Sequence, residues 1–194
     1  MTTVEIIQIP NDDDWLKIRN DFLASKRKHS DVTPSSQLRL KYLFSEHSPL
    51  YGLMYAWEFH DLPYWISNQI VRSHEGFYPV VSSQRNDIQY EYDRRKAPQD
   101  ALVNLRVTAN PVAIMATSRK RLCLTASAET REIWGLFVQE LNKYDPLLAS
   151  LCVKPCVYKN TFCNEVFSDC KYYKTKKLQE ELESYKNVIS SLKG

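Results

Sequence analysis

Residues 110–131 read NPVAIMATSRKRLCLTASAETR, and the interpretation of the whole chain turns on this stretch. Asn110-Pro111 is a helix start: the carboxamide can accept a free amide of the first turn, and proline at the first helical position sacrifices no hydrogen bond. The helix is expected to reach about Leu122. Asn110, Ile114, Thr117 and Arg121 then fall at i, i+4, i+7 and i+11, along one stripe. The two ends of the stripe are roughly 16 Å apart, so an extended ligand could touch one at each end. Taken singly, Asn110 serves as well for a plain cap, and Arg121 for a cation complementing the helix C-terminus.

Downstream, a helix is expected over Ala126 to Asn142, with Ile133, Trp134, Phe137, Val138 and Leu141 on one face. Cys152 to Cys170 reads as irregular. From about Lys174 the apolar positions Leu178, Leu182, Tyr185, Ile189 and Leu192 mark a helix, either a very short coiled coil or an amphipathic helix docked on its own domain. The chain accordingly divides into a domain over 1–173 and a C-terminal amphipathic helix over 174–194. Upstream, Ala101 to Val107 is a strand candidate and Ser73 to Asp100 reads mostly as loop. Asp61-Leu62-Pro63 reads as a cap and proline opening a helix to about Arg72. Tyr51 to Phe59 reads as a strand, preceded by a helix that starts at Thr33-Pro34, carries Leu38, Leu40, Tyr42 and Leu43, and ends by Pro49. A first strand over Val4 to Ile9 leads into a helix through Trp15, Ile18, Phe22 and Leu23, with Asp12 to Asp14 supplying negative charge at its start.

The 194 residues are 43% hydrophobic, enough to bury the core of one ordinary domain. No apolar run is long enough for a bilayer, and MTTVEIIQIPNDDDW lacks the pattern of a signal peptide, so a cytoplasmic protein without a membrane partner is expected. A net charge of +3 is too small to indicate a nucleic-acid polymer as partner. Glycine is the decisive count: there are four, at 52, 76, 135 and 194. Neither a P-loop nor a Rossmann turn can be built from them, so a bound nucleotide must be held by side chains. The five cysteines read as thiols or metal ligands. Cys152, Cys156, Cys163 and Cys170 are the zinc candidates, but paired C-x-x-C hooks are absent and no metal is assigned.

A second cluster of polar groups is Gln69, Arg72 and His74, followed by Ser82-Ser83-Gln84-Arg85. Hydroxyl, amide and guanidinium groups of this kind can wrap a phosphate, although a solvated loop would look the same. His47, beside Glu46, is by itself a capping or surface histidine. In order along the chain, Ser45-Glu46-His47-Ser48-Pro49, Gln69-x-x-Arg72-x-His74, seven residues and Ser82 resemble the flavin-dependent thymidylate synthases. That family carries an Arg-His-Arg triplet, seven arbitrary residues and a serine. Arg121-Leu122-Cys123 with Ala126-x-x-Glu129-x-Arg131, placed after Asn110, resembles its second block. The likeness spans about residues 43 to 170.

The resemblance implies an α+β domain, with a mostly antiparallel sheet packed against helices, that assembles as a homotetramer with sites shared between chains. It implies methylation of dUMP to dTMP with FAD as cofactor and with NADPH and methylenetetrahydrofolate as co-substrates. His47, Arg72, His74 and Asn110 would contact FAD. Gln69, Ser82 or Ser83, Arg85, Arg94 and Arg121 would contact dUMP, with Arg121 as the catalytic cation beside the pyrimidine carbonyl. The chain departs from the pattern at Ser73 and His74, which replace the last two triplet residues, and at Ala116, where the family often has a second flavin-contacting asparagine. Ser82 keeps the seven-residue gap, whereas Ser83 keeps the spacing to Arg85. A histidine at 74 would make flavin binding sensitive to pH. The departures leave two other outcomes open: a hydroxymethylase or other one-carbon-transfer enzyme, and a non-catalytic nucleotide-binding relative.

Overall fold

Strands β1 (Thr3–Gln8), β2 (Tyr55–Pro63), β3 (Phe77–Val81) and β4 (Leu102–Ala109) form one sheet in the order β1-β2-β4-β3, every neighbouring pair antiparallel. The computed structural model describes residues 1–73, 75–85, 93, 95–163, 165–166 and 170–193, the last without its side chain. His74 and Arg94 lie outside the described residues. Alternation along β4 shows which face is covered: Val103, Leu105, Val107 and Ala109 are buried, whereas Leu102, Asn104 and Arg106 are exposed. The α+β arrangement with an antiparallel sheet against helices is therefore the observed fold.

Helices α1 (Asp12–Ala24) and α2 (Ser36–Ser45) follow β1, and α3 (Tyr64–Ile70) follows β2 directly. After β4 come α4 (Pro111–Arg121), α5 (Ala128–Tyr144), α6 (Pro146–Leu151), the single turn α7 (Pro155–Tyr158) and α8 (Lys176–Ser190). The core is aromatic at its centre. Trp57 of β2 stacks on Phe137 of α5 at 4.3 Å between ring centroids and meets Trp134 edge-on at 6.2 Å. Such pairs each contribute about 1 kcal/mol beyond the area they bury. Leu178 and Tyr185 of α8 join the same cluster, so the amphipathic face of the C-terminal helix packs on the rest of the chain. Among the described residues no helix is long and apolar enough to cross a membrane.

Several boundaries differ from the sequence reading. Asp61-Leu62-Pro63 is not a helix start but the end of β2; Asp61 adopts φ 52 where the β2–β4 register shifts, and α3 begins at Tyr64 with no side-chain cap. Pro63 can end a strand as readily as open a helix. Residues 51 and 52 belong to a 3-10 turn (Ser48–Gly52), and the strand starts at Tyr55. Ser35, not Thr33, caps α2. The stretch read as loop contains β3, whose Pro79 sits on an edge strand, the place in a sheet where proline is tolerated. Residues 146–151 form α6, opened by Asp145 and Pro146.

Gly76 makes the turn into β3 possible. It has φ +64, its carbonyl accepts the Asn110 N–H at 3.0 Å, and a Cβ there would collide with the Asn110 carboxamide. Gly76→Ala should therefore cost about 1–3 kcal/mol of stability. Urea unfolding followed by circular dichroism measures this, and an unchanged midpoint would show that the turn is not constrained as described.

Candidate functional site

The site is organised by α4. Asn110 caps the helix by accepting the Ala113 N–H at 2.8 Å, and Pro111 occupies the first helical position as the sequence requires. The stripe of Asn110, Ile114, Thr117 and Arg121 faces the connection from α3 to β3. Thr117 Oγ1 donates to Ser73 Oγ at 3.1 Å, with both residues buried. Ser73 thus serves as a packing partner of α4, and the middle of the stripe is covered by the chain itself.

At the far end of α4, Arg121 Nη2 donates to the backbone carbonyl of Gln69, while its Nε is buried without a hydrogen-bond partner. Burial, with the nearby Arg72 charge added, pushes this guanidinium below its ordinary pKa. Two cations held near one another, one of them half-buried, favour a bound anion. The Gln69 side chain is oriented from α5: its Oε1 accepts from Thr130 Oγ1 at 2.9 Å and from Ser127 Oγ at 3.4 Å. That arrangement leaves the Gln69 amide NH2 as the donor to offer a ligand. Gln69, Arg72 and Arg121 are therefore brought together within one chain.

The other expected residues are placed elsewhere. Ser82 extends the β3–β4 pairing: its N–H donates to the Asn104 carbonyl at 2.8 Å and its Oγ accepts the Asn104 N–H at 2.9 Å. Ser83 Oγ accepts the Arg85 N–H at 3.2 Å, and Arg85 is exposed. The bonds of Ser82 and Ser83 thus run to β4 and to their own loop. His47 is exposed beside Phe22, 6.0 Å between ring centroids. Arg131 donates to the carbonyls of Leu124, at 3.0 Å, and Ala126, so the second sequence block holds the turn between α4 and α5 in shape.

One pairing escaped the sequence reading. Arg119 forms a two-pronged ion pair with Glu46 and lies 3.7 Å above the Tyr158 ring. The partners are 73 residues apart, and neither carries a local signal for the other. Glu46 holds the left-handed position ending α2, so this pair ties the segment containing His47 to α4. The cysteines also separate. Cys152 is fully interior, and burial pushes its thiol up to about 12. Cys123, Cys156, Cys163 and Cys170 instead line a cavity of about 500 Å³ beside α4. Cys152 is thus parted from the other zinc candidates, and among the described residues no group of three His, Cys, Asp or Glu side chains could hold a metal ion.

The Glu46–Arg119 side chains are only 24% and 18% exposed. Removing one charge strands the other in a dry setting, whereas removing both does not. Glu46→Gln should cost about 2 kcal/mol after allowance for partial solvent screening, and Glu46→Gln with Arg119→Met distinctly less. Chemical denaturation of the three proteins checks this; a double variant weaker than the single one would contradict it.

No family model matches this sequence, and no curated protein matches it. Solved structures do match in fold. A UMP/dUMP methylase, PolB, from Streptomyces cacaoi bound with 5-Br dUMP superposes with a TM-score of 0.59 at 12% identity, over 80% of this chain and 98% of that one. The flavin-dependent thymidylate synthase ThyX from Helicobacter pylori, complexed with FAD and dUMP, superposes with a TM-score of 0.62 at 14% identity, over 78% of this chain and 100% of that one. A second ThyX structure from that organism gives 0.56 at 13% identity. This chain has the fold of the flavin-dependent thymidylate synthases.

Proposed function

We propose that the chain is a flavin-dependent enzyme that methylates the uracil of dUMP to give dTMP, using NADPH and methylenetetrahydrofolate, as a cytoplasmic homotetramer. The observation that carries this reading is the convergence of Gln69, Arg72 and Arg121 at the meeting of α3 and α4. A pyrimidine ring needs donors for its carbonyls and a flavin needs a cation for its phosphate, and this cluster offers both without a glycine loop. The shared fold with a dUMP methylase and with ThyX supports the substrate class. We assign 174–194, the appended helix, to docking on the domain over 1–173.

Each residue has a task that follows from its setting. Arg121, charged at any working pH despite its lowered pKa, would stand beside a pyrimidine carbonyl and stabilise negative charge as C5 becomes nucleophilic. Gln69, fixed by Thr130 and Ser127, would donate to a second carbonyl and orient the ring. Bound FAD would supply the reducing equivalents that turn a one-carbon unit into a methyl group. His47, Arg72, His74 and Asn110 are assigned to holding it. Exposed Arg72 suits a flavin phosphate, and exposed His47 presents an aromatic edge with a ring nitrogen.

Ser82, Ser83, Arg85 and Arg94 are assigned to the dUMP phosphate of a neighbouring subunit's site. The bonds of Ser82 and Ser83 run to β4 and to their own loop, not to the Gln69–Arg72–Arg121 group. A site assembled from one chain's cation cluster and another chain's Ser82–Arg85 loop reconciles these placements. A second reading, a non-catalytic nucleotide-binding relative, draws on the coverage of the Asn110–Arg121 stripe by Ser73.

Arg121→Ala separates the two readings. On the enzyme reading, flavin stays bound, seen by its visible absorption, while dUMP-dependent NADPH oxidation falls by about 100-fold or more, the effect of losing a charged partner of a desolvated ligand. A parent protein that binds no flavin at any concentration supports the second reading. A variant that turns dUMP over at the parent rate removes Arg121 from the site.

A further inference from the structure

Two hydroxyls at the start of α5 decide which end of the Gln69 carboxamide faces inward. Ser127 is the N-cap of α5, and its Oγ accepts the Thr130 N–H at 3.3 Å. A backbone N–H can only donate, so this bond gives direction to those that follow. Ser127 Oγ donates to Thr130 Oγ1 at 2.8 Å, with Gln69 Oε1 at 3.4 Å as its second acceptor. Thr130 Oγ1 in turn donates to Gln69 Oε1 at 2.9 Å. Thr130 is fully buried, and Arg131 holds the turn that presents Ser127 through the carbonyls of Leu124 and Ala126.

Turning the carboxamide over would break this relay. With its NH2 inward, Gln69 would donate to Thr130 Oγ1, and only one of the two hydroxyl protons could lie between Ser127 and Thr130. The other would have no acceptor in the group. The Gln69 backbone is held independently, since its carbonyl accepts from Arg121 of α4. Gln69 therefore meets a ligand as a donor only. Ser127 and Thr130 occupy two of the three positions that the resembled Ala126-x-x-Glu129-x-Arg131 block leaves open, so the relay is a feature of this chain and not of the pattern.

Uracil and cytosine share a carbonyl at C2 and differ at C4, where uracil carries a carbonyl and cytosine an amino group. The direction of an amide matters only at C4. We propose that Thr130, aimed by Ser127, is a positioning residue that makes Gln69 select the C4 carbonyl of uracil and reject the amino group of cytosine. Arg121, always a donor, then takes the C2 carbonyl that both bases offer. The proposal rests on the reading of Gln69 and Arg121 as the contacts of a pyrimidine nucleotide.

Titration calorimetry of the protein in excess FAD, with dUMP and with dCMP, tests it. The parent Kd for dCMP should exceed that for dUMP by about tenfold or more. Thr130→Val, which keeps the shape and loses the hydroxyl, should bring the two within about threefold, whereas Thr130→Ser should keep the difference. Ser127→Asp retains a cap but has no proton to give. Thr130 would then donate to the carboxylate and accept from the Gln69 amide, and the preference should turn toward dCMP. The added charge acts on both nucleotide phosphates alike, so the ratio still reports the relay. In a Gln69→Ala background, Thr130→Val should change the ratio no further. Near-UV circular dichroism confirms that each variant is folded, and a merely structural Thr130 would weaken both nucleotides together. A parent ratio near one, a ratio unchanged by Thr130→Val, or an effect of Thr130→Val that survives in Gln69→Ala overturns the proposal, while saturable dUMP binding leaves the Gln69–Arg121 site in place. Saturable binding of neither nucleotide removes that site, and the proposal with it.

Discussion

The Trp134 indole joins three layers of this molecule, and the geometry of the candidate site depends on it. Its ring meets Trp57 of the sheet at 6.2 Å and Phe137 of its own helix at 4.9 Å, while its Nε1 donates to Ser118 Oγ at 2.9 Å. Ser118 in turn donates to the Ile114 carbonyl one turn back, so the indole grips α4 at a fixed height and rotation. Thr117 and Arg119 flank Ser118. Thr117 consequently faces Ser73, Arg119 faces Glu46 and Tyr158, and Arg121 reaches Gln69. One buried hydrogen bond from an aromatic core thereby sets where the polar side chains of α4 point.

Much of this was readable where the signal is local. Asn110-Pro111 specified the start of α4 because the cap and the proline act within one turn, and the apolar spacing of Ile133, Trp134, Phe137 and Leu141 specified the buried face of α5. The reading of Asp61-Leu62-Pro63 failed because proline after an acidic residue is compatible with two structures, and pairing with β4 selected the strand. β3 was hidden because five residues interrupted by proline carry little strand signal; their state is set by β4 and by the Gly76 turn.

The site was legible in its residue types and only partly in its arrangement. Residues as far apart as Gln69 and Arg121 were grouped through resemblance, and the fold brings them into contact. Glu46–Arg119 could not have been paired from the sequence, since long-range ion pairs leave no periodic trace. The cysteines illustrate the converse: spacing grouped Cys152 with Cys156, Cys163 and Cys170, whereas burial removed Cys152 and the fold put Cys123 in its place. Spacing alone says nothing about which side of a packed layer a thiol occupies.

We propose that a working site combines the Gln69–Arg72–Arg121 cluster of one subunit with the Ser82–Arg85 loop of another. Subunit mixing tests it most directly. Arg121→Ala and Arg85→Ala damage different halves, so a mixed oligomer, verified by native mass spectrometry, should regain roughly a quarter of parental dUMP-dependent turnover from random pairing. Arg72→Ala with Arg121→Ala damages the same half and should regain none. A verified mixed oligomer of the first pair that stays inactive, or recovery by the second pair, would contradict the shared-site account.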